Sequence, residues 1–171
     1  MSKRVKQIPT NYPKNMKDSY NRVARKLRIS VTDKCNMKCI YCMPNGNIKW
    51  NDDKEILNFK EIIRIVSIFT QLGITKIRLT GGVPLLRPSL ENLISDLIKI
   101  KKIETISMTT NGFLLEENIN QLKSAGLNSL NISLDTFREE RFRTLNGISN
   151  LNKVLRGIQK ARELGVKIKI N

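Results

Sequence analysis

Hydrophobic and polar positions alternate in two distinct rhythms along this chain. Leu27, Ile29 and Val31 alternate with Arg28, Ser30 and Thr32, the period-two pattern of a strand. A helical stretch follows over 59–72, with Ile62, Ile63, Val66, Phe69 and Leu72 at three-to-four spacing. Asn58 and Glu61 have the spacing of a capping box at its start, and Gly73 is a natural stop at its end. The pattern then predicts a strand over 74–80, a helix over 89–101, a strand over 103–109, a helix over 116–125, a strand over 127–134, a helix over 151–164 and a strand over 166–171. The phrases LGI (72–74), AGL (125–127) and LGV (164–166) mark the same event three times: helix, glycine stop, strand.

Strands alternating with helices of this length mean parallel crossovers and an α/β fold. The expectation is a partial (β/α) barrel of about five parallel strands with helical crossovers, since a complete barrel needs about 250 residues. A doubly wound open sheet is the alternative, because strand order is not legible in one sequence. Residues 1–26 lack periodicity and read as a basic N-terminal arm ahead of a barrel domain over 27–171. Ten of the first 34 residues are Lys or Arg and two are acidic, so this fifth of the chain carries half the net charge.

That net charge is +16, from 31 basic and 15 acidic residues among 171, and it points to anionic partners. The absence of histidine excludes the Ser-His-Asp and Cys-His catalytic arrangements and histidine-ligated zinc. No apolar run reaches membrane-spanning length, because Arg64 interrupts the best one, and the basic N-terminus lacks the apolar stretch of a secretory signal. The three cysteines, Cys35, Cys39 and Cys42, form C-x3-C-x2-C just past the first strand. An odd, tight cluster is a poor disulfide framework and suggests a metal site in a reducing compartment. That compartment is the cytoplasm, or the plastid stroma for an organelle-encoded chain. Three thiolates suit an iron–sulfur cluster. A structural zinc site would need Asp33 as fourth ligand, and three unliganded structural cysteines are the remaining reading.

With its surroundings, LRISVTDKCNMKCIYCMP (27–44), the cysteine string resembles the radical S-adenosylmethionine superfamily, and within it the GTP 3′,8-cyclase family of molybdenum cofactor biosynthesis. The resemblance continues through RLTGGVPLLRPSL (78–90), MTTNGFLL (108–115), LNISLD (130–135) and VKIKIN (166–171). It implies a [4Fe–4S] cluster on Cys35, Cys39 and Cys42, with S-adenosylmethionine chelating the open iron. It implies that Tyr41, Gly81, Gly82 and Ser133 contact that cofactor, and that Arg28, Arg78, Thr109 and Lys169 contact GTP. A reductant would supply one electron to make a 5′-deoxyadenosyl radical. The radical would take the C3′ hydrogen of GTP, leading to (8S)-3′,8-cyclo-7,8-dihydroguanosine 5′-triphosphate. A homodimer is among the expected assemblies; nucleic acid and membrane are not expected partners.

Two departures from the family pattern stand out. Where the family reads Gly-Gly-Glu-Pro, this chain has Gly81-Gly82-Val83-Pro84, and valine offers no acceptor for the cofactor's ammonium. The family's C-terminal region, with three more cysteines for a second cluster, has no counterpart here, so a truncated chain without cyclase turnover is expected. Another superfamily member, such as a peptide-modifying maturase, and a basic nucleic-acid-binding protein with a small metal knuckle are the competing readings. The second of these sits poorly with an aromatic content of 5%.

Overall fold

The computed structural model describes residues 15–44 and 48–171. Five strands form one parallel sheet: β1 (Lys26–Ser30), β2 (Lys76–Thr80), β3 (Thr105–Thr110), β4 (Ser129–Ile132) and β5 (Lys167–Ile170). Their spatial order is β1-β2-β3-β4-β5, the order of the chain itself. A doubly wound sheet reverses direction at a switch point, so this progression selects the partial barrel. The helices between strands are α1 (Phe59–Gln71), α2 (Leu90–Ile98), α3 (Leu115–Ser124), α4 (Glu139–Asn146) and α5 (Leu151–Glu163).

Local chemistry accounts for several boundaries. The Asn58 side chain accepts from the Glu61 N–H at 3.0 Å and the Glu61 carboxylate accepts from the Asn58 N–H at 2.8 Å, the reciprocal box that the spacing predicts. Gly73 takes φ 93° to end the first helical crossover. One helix, α4, is absent from the periodicity. Of its residues EERFRTLN only Phe142 and Asn146 are buried, so no apolar stripe marks it. The described part of the basic arm folds back on the barrel: Met16 N–H bonds to Leu72 O at 3.1 Å, and Ala24 N–H to Met16 O at 2.9 Å. Residues 1–14 of that arm lie outside the described residues.

The sheet has two chemically different faces. Ile77, Leu79, Ile106, Met108, Leu130 and Ile132 are buried in one cluster with Ile62, Leu93, Ile119 and Val154 of the helices. Burying each such side chain contributes about 1.5–3 kcal/mol. The opposite face is polar. In register across the sheet stand Arg28, Arg78, Ser107, Ser129 and Lys167, with Thr109, Asn131 and Lys169 in the adjacent row on that face. A parallel sheet normally buries apolar residues on both faces. This one keeps a basic, hydroxyl-lined concave side, and that side positions the site.

Candidate functional site

At the C-terminal end of the sheet, β1 does not stop at its last strand residue. Val31 N–H bonds to Thr80 O, Gly82 N–H to Thr32 O and Val83 N–H to Lys34 O, at 2.9, 2.8 and 2.8 Å. The cysteine loop is therefore laid along the loop after β2 as an extension of the ladder. Gly81 and Gly82 make that approach feasible. A Cβ on Gly81 would collide with the Thr32 carbonyl oxygen, and one on Gly82 with the Lys34 carbonyl oxygen. Val83 turns inward and is 2% exposed.

The loop carries three free thiols; Cys35 and Cys39 are half-buried and Cys42 is exposed. Cys42 and Met43 N–H groups both bond to the Cys39 carbonyl, at 3.0 and 2.8 Å, winding 39–43 into a tight turn. Cys35 Sγ accepts from Met37 N–H at 3.4 Å. Neighbouring elements hold the loop from several sides. Asn111 after β3 donates to Asn36 at 2.9 Å, and the Tyr41 hydroxyl donates to Asp135 Oδ2 after β4 at 2.7 Å. The Cys39 thiol donates to Asn146 Oδ1 of α4 at 3.0 Å. Among the described residues no three His, Cys, Asp or Glu side chains converge on one metal-holding point.

Burial pushes the Cys39 thiol up from its ordinary value; the neighbouring Tyr41 hydroxyl opposes this, while negative charge on Cys42 and Cys35 adds to it. Partial burial, the bond to Asp135 and the nearby Cys39 sulfur push the Tyr41 phenol up as well. For Cys39 the folded chain holds its proton more tightly than the unfolded chain does. That contribution to stability is present below the ordinary thiol value and is lost as pH rises through the raised one. We expect iodoacetamide to modify exposed Cys42 first in the metal-free chain. Cys39 should react last, its rate rising with pH through a midpoint above that of a free thiol. Equal rates at the two positions, read by mass spectrometry, would refute this. The donor set itself fits an iron–sulfur cluster: three unpaired thiols, no competing histidine, and mutual charge repulsion that bound iron would offset.

The residues expected at GTP fall on the polar face. Arg28 and Arg78 pair directly in register, exposed and half-buried respectively, and Thr109 and Lys169 occupy the adjacent row. Two residues the sequence reading missed orient Arg78: Nε donates to Ser107 Oγ at 3.4 Å and Nη2 to Asn131 Oδ1 at 3.3 Å. Their signal was polarity in the middle of parallel strands, at the same alternation phase as the arginines. A cleft toward the N-terminal ends of the strands adds Lys26, Lys76, Lys123 and Lys167 around Arg78, with no carboxylate in its lining. Ser133 is exposed just past β4, its N–H on Thr110 O at 2.9 Å, two residues before the Asp135 that holds Tyr41. No helix among the described residues is long and apolar enough to cross a membrane.

Comparison with known proteins places this geometry. The family model described as the Radical SAM superfamily matches residues 29–171. A protein named GTP 3′,8-cyclase from Clostridium perfringens (strain 13 / Type A) is 46% identical over 156 residues, covering 91% of this chain and 48% of the relative. One of the same name from Petrotoga mobilis is 45% identical over 157 residues, covering 91% and 49%. The chain therefore spans about half the length of the curated relatives it matches. Among solved structures, native anSMEcpe with bound AdoMet superimposes with a TM-score of 0.67 at 22% identity, over 85% of this chain and 43% of that one. Streptococcus suis SuiB bound to S-adenosylmethionine gives 0.68 at 21%, over 86% and 32%. At those identities the likeness is one of fold.

Proposed function

The chain belongs to the radical S-adenosylmethionine superfamily, and from that premise we propose that it carries the cluster- and cofactor-binding half of a GTP 3′,8-cyclase of molybdenum cofactor biosynthesis. One observation carries the reading furthest. Three free thiols sit on one loop at the C-terminal end of a parallel sheet whose concave face presents Arg28, Arg78 and Lys169. In this reading Cys35, Cys39 and Cys42 hold a [4Fe–4S] cluster, and Tyr41, Gly81, Gly82 and Ser133 form the S-adenosylmethionine side of the pocket. Bound there, cluster and cofactor would supply one-electron reductive cleavage and hydrogen-atom abstraction from C3′ of GTP, the start of its 3′,8-cyclisation.

The chain's own residues supply placement. Arg78 is held by Ser107 and Asn131 with its guanidinium over the polar face, and a guanidinium fork suits phosphate oxygens. Arg28 stands beside it on β1, Thr109 of β3 and Lys169 of β5 lie farther along the same face, and the absence of carboxylates in the adjoining cleft leaves its cations to an anionic ligand. The glycine pair keeps the cysteine loop seated against β2. The Tyr41–Asp135 bond ties that loop to the segment bearing Ser133. The same reading carries with it a cytoplasmic or stromal setting and a one-electron reductant as partner.

Anaerobic reconstitution tests the reading, with iron and sulfide counted and 5′-deoxyadenosine measured with and without GTP. A chain that holds no cluster, or makes no 5′-deoxyadenosine under reduction, refutes it. Competition by inorganic triphosphate for GTP binding separates it from a peptide-modifying enzyme on the same fold.

Val83 offers a sharper check. Its N–H is bonded to Lys34 O and its side chain is buried, so a carboxylate there lacks water and needs a cation. Val83→Glu is expected to destabilise the free chain while tightening S-adenosylmethionine binding. Truncating one partner of a buried charge pair costs on the order of 2–5 kcal/mol, so the gain is bounded by roughly one and a half to three and a half decades in affinity. Unchanged affinity by calorimetry would rule out this role for the position.

A further inference from the structure

Asn146 ends α4, the helix that hydrophobic periodicity does not reveal, and it is 4% exposed. A polar side chain that deep needs partners, and it has them on two sides. Its amide nitrogen donates to Phe142 O at 3.1 Å, one turn back, which aims Oδ1 at the Cys39 thiol 3.0 Å away. The main chain repeats the attachment on either side of the cysteine. Lys38 N–H bonds to Asn146 O at 2.9 Å and Ile40 N–H to Leu145 O at 3.0 Å. The last carbonyls of a helix ordinarily lack partners. Here the cysteine loop supplies their donors, so the end of α4 and the loop complete each other. Gly147 makes the seat close enough: it takes φ 70°, and a Cβ on it would stand 3.2 Å from the Lys38 Cβ.

We propose that Asn146 is a positioning residue for Cys39 as a cluster ligand and that its amide tunes the charge on that sulfur. The inference rests on the cluster reading given above and concerns one ligand of the three. A carboxamide suits the task because it has both a donor and an acceptor. It accepts from the Cys39 thiol in the metal-free chain. When the thiol proton leaves to solvent and the sulfur bonds to iron, the same group, turned about its terminal torsion and releasing Phe142 O, offers N–H to the sulfur. Hydrogen bonds to ligating sulfur raise a cluster's reduction potential, and partners that orient a ligand raise metal retention. Leucine fills the same space without either function. Aspartate keeps the shape but is acceptor-only when ionised, and it places a like charge beside a thiolate.

The test uses the full chain as wild type, Asn146→Leu and Asn146→Asp, each reconstituted anaerobically. Iron release to a ferrous chelator and the midpoint potential from an electron-paramagnetic-resonance titration are read together, with circular dichroism to verify folding. Both variants are expected to release iron roughly 10–100-fold faster than wild type. Both midpoints should move to more negative values, Asp further than Leu. Should the leucine variant fail to fold, the near-isosteric aspartate variant decides. Iron retention and potential equal to wild type in the folded variants overturn the proposal. So does faster release at an unshifted potential, which marks a purely structural contact. A wild-type chain that binds no iron overturns the cluster reading itself, a separate and recognisable result.

Discussion

Cys39→Ala is expected to lower iron from about four per chain to below one after reconstitution, with the secondary structure intact. A cluster with three protein ligands has none to spare, and the chain has no fourth cysteine to take its place. The chain has no histidine. Asp135 is engaged by the Tyr41 hydroxyl at 2.7 Å, and Asp33 Oδ2 by the Asn51 N–H at 2.7 Å. Removing one small half-buried sulfur costs about 1 kcal/mol in packing. Leaving Asn146 Oδ1 without its donor costs about 1–3 kcal/mol more. The fold should survive this, because the main-chain bonds from Lys38 and Ile40 to the end of α4 do not involve the thiol. The same substitution at exposed Cys42 should remove iron as completely while costing less stability. Retention of about four irons by Cys39→Ala, counted by a colorimetric assay, would falsify the ligand assignment.

What the sequence revealed and what it concealed follow from one physical distinction. Features carried by neighbours along the chain were legible: the alternation that places Arg28 and Arg78 on one face, the Asn58–Glu61 box, the glycine stops, the spacing of the cysteines. Features that depend on convergence were not. Cys39 and Asn146 are 107 positions apart, and nothing local to either residue announces the other. Helix α4 escaped notice because one of its two buried positions is an asparagine, which scores as polar in any hydrophobic pattern although it lies deep against the loop. Ser107 and Asn131 escaped for the same reason, being polar residues in parallel strands whose purpose appears only beside Arg78. The glycine pair was singled out only through the family resemblance, as a contact to the cofactor. Which backbone approaches it, that of Thr32 and Lys34, needed the register of the loop against β2.

That close approach makes Gly82→Ala a disruptive substitution that tests crowding alone. Gly81 combines a crowded Cβ direction with φ 145°, so a substitution there mixes steric and conformational strain. Gly82 has no such backbone demand, and the conflict is purely one of space: an added Cβ would collide with Lys34 O and lie 2.5 Å from Asp33 O and 2.6 Å from Lys34 C. These are main-chain atoms, so no side chain can rotate away, and the loop leading into Cys35 must move. The movement strains the bonds from Gly82 N–H to Thr32 O and from Val83 N–H to Lys34 O. Overpacking together with weakening of those bonds is worth about 3 kcal/mol, or roughly 6–12 °C in melting temperature for a chain of this size. Gly165→Ala is the matched control. Its φ is 69° and nothing lies within 4 Å of an added Cβ, so it carries backbone strain alone, about 1 kcal/mol and roughly 2–4 °C. Differential scanning calorimetry of the two variants beside wild type separates the effects. Equal losses at positions 82 and 165 would mean that the cysteine loop yields freely to β2. In that case a rigid seat for the cluster ligands, on which the placement of Cys35 depends, would have to be abandoned. A much larger loss at Gly82, accompanied by poorer iron retention, ties the spacing of two backbones to the assembly of the metal site.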